Sequence, residues 1–144
     1  MKRGTVAGAV FAMLAFSILC VVNTAAHAAT TDGSLLTIER NIVEQTNHNR
    51  MRHGLAPLQI DGHLMSSARQ HAIWMARNRV MRHTNANVAE NIAAGQHSSN
   101  QAVSDWMNSP GHRANILNGS YRRIGVAAYR GADGQVYWCQ QFLW

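Results

Sequence analysis

Glu90 and His112 in this sequence join reactive chemistry to unusual backbone neighbours, and His83 upstream supplies a third capable group. Glu90 opens the string Glu90-Asn91-Ile92-Ala93-Ala94-Gly95. His112 lies within Trp106-Met107-Asn108-Ser109-Pro110-Gly111-His112-Arg113-Ala114-Asn115-Ile116-Leu117. Two imidazoles and a carboxylate would make a three-ligand set with an open fourth position, the pattern of catalytic zinc sites. The same groups can instead hydrogen-bond one another and pin loops to a sheet, which serves structure or ligand binding rather than turnover. His112 falls three residues after Ser109, in the first turn of an expected helix. There the positive end of the helix dipole disfavours a charged imidazole, and the neutral ring is the form that binds metal or accepts a proton. Ser109 is expected to spend its hydroxyl on capping that helix. With no Gly-x-Ser-x-Gly turn around it, it is a poor nucleophile.

The other polar and aromatic residues read more plainly. His71 falls on the inner stripe of a helix and reads as a satisfied core histidine, while His48, His53, His63 and His97 fall where solvent is expected. Trp106, Tyr137, Trp138 and Phe142 read as core, because aromatics on helix and strand supply much of a small domain's apolar contact. Asn91 and Asn115 read as backbone ties. Cys139 reads as a small apolar filler in a strand.

These groups must be positioned by a small number of elements. From 35 to 53, Leu35, Ile38, Ile42, Val43 and Thr46 recur at helical spacing, and Gly54 ends that helix. Leu55-Ala56-Pro57-Leu58 is an extended link. Asp61 can cap a second helix with the inner stripe Leu64, Ala68, His71, Ala72, Met75 and Asn78, ending near Arg82. Residues 83–97 lack periodicity and read as a loop with one extended piece over 91–94. Ser98 and Gln101 form a capping-box pattern ahead of Ala102, Val103, Trp106 and Met107. Ser109-Pro110 starts a short helix, with proline at the first helical position where its missing N–H costs nothing. Asn118-Gly119 ends it. Strands over 124–129 and 136–142 flank a Gly131–Gly134 turn. Helices followed by a terminal hairpin indicate an α+β domain with helices packed on an antiparallel sheet.

The chain has 144 residues, with 13 basic and 7 acidic side chains. Lys2 and Arg3, an uncharged apolar run from 6 to 22 and the small-residue site Ala26-His27-Ala28 predict a secretory signal over 1–28, cut before Ala29. The rival is a membrane anchor, since the run approaches the roughly 18–20 residues that span a bilayer. Its Gly, Ser and Ala content and the cleavage site favour removal, so no stable anchor is expected afterwards. Leu19 before Cys20 does not suit a lipoprotein signal. Residues 29–144 then form one domain, secreted or periplasmic. Of the 13 basic residues the 11 that remain are all arginine. That balance favours anionic surfaces such as cell-wall polymers or phospholipid heads. The arginines are scattered without interleaved aromatics, which argues against nucleic acid. Only Cys139 remains of two cysteines, so the domain must rely on its core rather than on a disulfide.

Taken in order, several strings resemble the CAP superfamily (cysteine-rich secretory proteins, antigen 5, pathogenesis-related class 1) in its short bacterial branch. They are Asn47-x-x-Arg50, Gly54-Leu55-x-Pro57-Leu58, Leu64 with Ala68, His83, the Glu90 and Trp106 strings above, Ile124-Gly125-Val126, and Trp138-x-Gln140-x-Phe142. The resemblance implies an α-β-α sandwich around a small antiparallel sheet, with an open cleft. In larger members that cleft holds two histidines and two glutamates, sometimes with a divalent metal. His83, Glu90 and His112 match by position, whereas the second glutamate falls at Ser109. Expected cleft residues are therefore His83, Glu90, Ser109 and His112, with His83 and His112 as the pair for a divalent cation such as zinc. The preferred reading is a binding module for an apolar small molecule or anionic cell-envelope component; the missing glutamate favours this reading and a vestigial cleft over a hydrolase. A metal-assisted hydrolase of peptide or envelope substrates and an interaction protein with a vestigial cleft stand as alternatives.

Overall fold

The computed structural model describes Met1 and residues 36–144, so the expected export signal and its cut before Ala29 lie outside the described residues. The first helix, α1 (Thr37–Arg52), buries Glu39, Ile42, Val43, Thr46 and Arg50 at helical spacing. Two of these are charged, which periodicity of apolar residues could not announce. Glu39 accepts from Arg69 Nε at 2.7 Å and Nη2 at 2.6 Å, and from the Leu36 amide at 3.1 Å. Among the described residues Arg50 has no carboxylate partner. Its guanidinium donates to the carbonyls of Ala56 (3.0 Å), Ile116 (2.8 Å), Asn118 (2.9 Å) and Tyr121 (3.4 Å). A planar fork of five donors suits that convergence of carbonyls.

Asp61 caps α2 (Gly62–Asn78) as its sequence promised, accepting from the His63 and Leu64 amides. The helix stops at Asn78 rather than near Arg82. Arg79 adopts the left-handed conformation (φ 51°) with its amide bonded to Met75 O. The buried stripe ends at Ala76, so further turns would bury nothing against the sheet. Asn78, expected on that stripe, is exposed. Ser98 caps α3 (Ser99–Asn108) by accepting from the Gln101 amide. Gln101 Oε1 reaches back to the amide of His97, one residue before the cap. Pro110 opens α4 (Pro110–Ile116) after Ser109, but the Ser109 side chain makes no cap bond, contrary to expectation.

Four strands, β1 (Gln59–Ile60), β2 (Ala89–Ala94), β3 (Arg123–Arg130) and β4 (Val136–Leu143), form one sheet in the order β1-β3-β4-β2. β4 pairs antiparallel with both β3 and β2, whereas β1 runs parallel to β3. The sheet is therefore mixed rather than wholly antiparallel. Two residues are too few to show alternation in a sequence; the pairing rests on Gln59 N bonded to Arg122 O and Asp61 N to Ile124 O.

Alternation along β4 builds the sandwich. Val136, Trp138 and Phe142 face α1, α3 and α4 in one apolar cluster with Ile42, Val103, Trp106 and Ile116. Tyr137 and Cys139 face α2 in a second cluster with Ala68, Ala72, Met75 and Ile92. Trp106, Trp138 and Phe142 are wholly buried and Tyr137 nearly so. Gly125 fixes how closely α2 sits on β3, because a Cβ at that position would overlap the Leu64 backbone. The α-β-α sandwich implied by the resemblance is the fold, in the α+β class.

Candidate functional site

Pairing of β2 with β4 sets Glu90 opposite Gln141. Glu90 and Ile92 share one face of β2 by strand alternation, and Ile92 lies in the α2 layer. The Glu90 carboxylate is almost wholly buried and both of its oxygens are in use. Oε1 accepts from His83 Nδ1 at 2.9 Å and from the Thr84 amide at 3.0 Å. Oε2 accepts from Gln141 Nε2 at 2.9 Å and from the Cys139 thiol at 3.5 Å. His71 Nε2 lies 3.7 Å from Oε1 and donates to Arg82 O at 2.9 Å. His71 is thus a satisfied histidine, as its position implied, but one that borders the site.

Burial alone would raise the Glu90 carboxyl. The Gln141 amide, the Thr84 N–H, the His83 imidazole and the nearby His71 outweigh it and hold the group below the usual carboxylate range. Cys139 shows the opposite balance: burial and the adjacent Glu90 push its thiol well up. A buried thiol kept protonated is inert and can serve as a weak donor, so Cys139 fills the α2 layer as expected and also donates weakly to Glu90. Since an ionised carboxylate only accepts, the His83 bond fixes the proton on Nδ1. In the neutral ring Nε2 is then an acceptor, the arrangement in which a carboxylate orients a functional imidazole. The His83 side chain is 59% exposed.

The opposite face of β2 anchors His112. Asn91 Nδ2 donates to His112 O at 3.1 Å and to Gln140 Oε1 at 3.0 Å. Asn115 Nδ2 donates to Asn91 Oδ1 at 2.9 Å and Glu90 O at 3.3 Å. Gln140 Nε2 continues to Thr46 Oγ1 at 2.7 Å. Asn91 and Asn115 are backbone ties, and they join α4 and α1 to the edge strand. His112 is half-buried. Burial first, and the nearby His83 imidazole second, lower its basicity. The neutral imidazole expected from sequence is favoured, with desolvation the largest cause.

The structure therefore joins His83 to Glu90 directly and brings His112 within electrostatic reach of His83. Among the described residues no hydrogen bond links the His112 ring to Glu90, and Ser109 makes no side-chain bond to the cluster. Among them too, no group of three or more His, Cys, Asp or Glu side chains is arranged to hold a metal. With four donors on its two oxygens, Glu90 does not fit as a third metal ligand here, and it acts as the residue that orients His83. Sequence reasoning missed Gln141 and Thr84 as partners of Glu90. The alternation of Cys139 and Gln141 placed them on one face, but only the β2–β4 register puts that face beside Glu90.

A separate groove of about 900 Å³ runs between α1 and α3. Val43, Met51, Val103 and Met107 give it apolar walls, with Asn47, Ser104 and Asn108 among its polar lining. None of His83, Glu90, Ser109 and His112 lines it, so the expected cleft and this groove are distinct features.

An α-β-α sandwich with a mixed four-stranded sheet matches the architecture of solved SCP-domain proteins. Residues 43–142 match the Cysteine-rich secretory protein family, CAP, and the chain belongs to that family. It is 36% identical over 127 residues to the uncharacterized protein YkwD of Bacillus subtilis, covering 76% of this chain and 48% of that one. It is 32% identical over 124 residues to the uncharacterized membrane protein YlbC of the same species, covering 74% and 34%. The crystal structure of an extracellular protein containing an SCP domain from Bacillus anthracis superposes with a TM-score of 0.67 at 26% identity, over 78% of this chain and 45% of the other. The chain spans about half or less of the length of these three proteins.

Proposed function

We propose that this CAP domain is an extracytoplasmic binding module, which holds an apolar cell-envelope molecule in the groove between α1 and α3. The observation that carries binding over turnover is the state of Glu90. A general base needs a lone pair aimed at the proton it removes, and all the strong donors around Glu90 already claim its oxygens. The α1–α3 groove, at about 900 Å³, is in the range of small-molecule sites and has the mixed lining they share: apolar walls with a few polar groups. Extracytoplasmic placement is supported by the signal-like N-terminal sequence and by the likeness to an extracellular Bacillus anthracis protein.

The test is titration of the full chain with a fluorescent long-chain fatty acid as the apolar probe. Saturable binding is expected. Ser104→Trp, which fills the groove from an exposed position, lowers affinity at least tenfold, and Met51→Asp does so more mildly. Absence of saturable binding, or equal binding in both variants, overturns the reading.

A metal-assisted hydrolase remains the second reading, because the Glu90–His83 bond leaves Nε2 of an exposed imidazole as an acceptor near His112. Zinc titration by calorimetry separates the two. Tight binding lost in both His83→Ala and His112→Ala, together with hydrolysis of a peptide or envelope substrate lost in the same variants, would replace the binding-module reading.

A further inference from the structure

The end of α2 and the chain leaving it carry a pattern that the core does not use. From 77 to 83 the sequence runs Arg-Asn-Arg-Val-Met-Arg-His, and every one of these residues is exposed. Arg79 turns the chain out of the helix in the left-handed conformation, which delivers Val80 and Met81 to the surface at 37% and 45% exposure. Neither side chain belongs to either apolar cluster. Arg82 lies over the Trp74 ring, 5.1 Å from its centroid. Tyr129, 41% exposed, shares a crevice with Arg77 and Arg79.

Charge sharpens the pattern. Arg69 and Arg123 are paired with Glu39 and Asp61, and Arg50 is buried among carbonyls. Among the described residues, Arg77, Arg79 and Arg82 form no salt bridge. The nearby carboxylate, Asp133, is felt by Arg79 but accepts the Tyr137 hydroxyl at 2.8 Å. The result is a rim that carries three guanidinium groups and two exposed apolar side chains along 77–82, with Tyr129 beside Arg77 and Arg79.

We propose that this rim docks on an anionic phospholipid bilayer. Arg77, Arg79 and Arg82 would pair with lipid phosphates, and Val80 and Met81 would enter the headgroup region with Tyr129 at the boundary. Guanidinium groups match phosphate oxygens in charge and geometry, and clustered arginines add attraction to an anionic membrane surface. The paired Val80 and Met81 decide between a bilayer and a soluble polyanion, since only the bilayer rewards their burial. α2 packs on the sheet face opposite α1 and α3, so docking does not depend on what the α1–α3 groove holds. It would set His83, which ends the rim, at the membrane surface.

The test is residue-resolved amide exchange on the full chain with vesicles. The amides of Met81 and Arg82 make no hydrogen bond among the described residues, so their exchange is free to slow on docking. Vesicles of phosphatidylglycerol and phosphatidylcholine are expected to slow both at least fivefold, and pure phosphatidylcholine vesicles to leave them unchanged. The exposed triple variant Arg77→Gln/Arg79→Asn/Arg82→Gln, with its unfolding midpoint checked, loses the protection. Val80→Ser/Met81→Ser reduces it at least threefold at unchanged charge. Equal protection by soluble polyphosphate would assign the rim to a polymer and overturn the proposal. So would protection by neutral vesicles, or protection that survives the triple variant.

Discussion

Gln141 faces Glu90 across the β2–β4 ladder and donates its amide to Glu90 Oε2 at 2.9 Å, while its own Oε1 is buried without a partner among the described residues. The pair joins the site to the centre of the sheet, because β4 is flanked by strands on both sides. It also gives the carboxylate and the carboxamide unequal consequences when Glu90 is changed.

Replacing Glu90 with alanine leaves the Gln141 amide and the Thr84 N–H without their acceptor in a buried space. An orphaned buried donor costs about 1–3 kcal/mol, so Glu90→Ala is expected to lower stability by about 3 kcal/mol in urea unfolding. Glu90→Gln should cost about half as much. Its Oε1 can still accept from His83 and Thr84, and a flipped Gln141 can use its spare oxygen to accept the new amide. Equal losses in the two variants would show that the carboxylate's bonds carry little of the stability.

Arg50 closes the far end of α1 against four carbonyls, three of them at or after the end of α4. Truncation to methionine strands those carbonyls and is expected to cost about 3 kcal/mol or more, since each orphaned buried acceptor costs about 1–3 kcal/mol. Arg50→Lys should recover only part of the loss, since one ammonium cannot reach all four oxygens. Denaturant midpoints of the two variants check this ordering.

Acid is expected to weaken the fold in two stages. His112 is less basic folded than unfolded, so the unfolded chain binds its proton first and stability falls as pH drops below the ordinary value of 6.5. Glu90 is likewise held low, so its contribution is present above its ordinary value of 4.5 and is lost as pH falls through the lower folded value. Urea unfolding of wild type at about pH 7 and about pH 5.5 should show a loss that His112→Asn reduces. Glu90→Gln should flatten the further loss below 4.5. A variant profile parallel to wild type in either window contradicts the corresponding assignment.

Gly125 is the closest meeting of α2 with the sheet. A methyl group there meets Leu64 backbone, which cannot rotate away as a flexible side chain can. Gly125→Ala is expected to cost about 3 kcal/mol or more, at the upper end for overpacking, whereas Gly111→Ala, with open space around its Cβ, should be nearly neutral. Thermal unfolding of the two variants makes the comparison.

Much of the domain was legible in sequence because its cues are local. Asp61 and Ser98 cap α2 and α3 through amides two or three residues away, and Pro110 opens α4 at the position its fixed φ suits. The hairpin follows from alternation around a glycine-bearing turn. Local cues also misled. The Ser109 hydroxyl is not a cap, and α2 stops at Asn78 because burial against the sheet runs out, not because the residues beyond it are poor helix formers.

Sequence alone determined which groups have chemistry, the α+β class, and the presence of one glutamate rather than two at the positions matched to the family's cleft. Tertiary structure alone decided what those groups do to one another. The β2–β4 register encloses the Glu90 carboxylate with Gln141 and Cys139 from a strand about fifty positions away, and the parallel pairing of β1 makes the sheet mixed. It also places His112 on the layer across the edge strand from Glu90. The physical reason is that a cap or turn is satisfied within a few residues, whereas a buried carboxylate finds its donors wherever the fold brings them, and sequence separation does not record that distance.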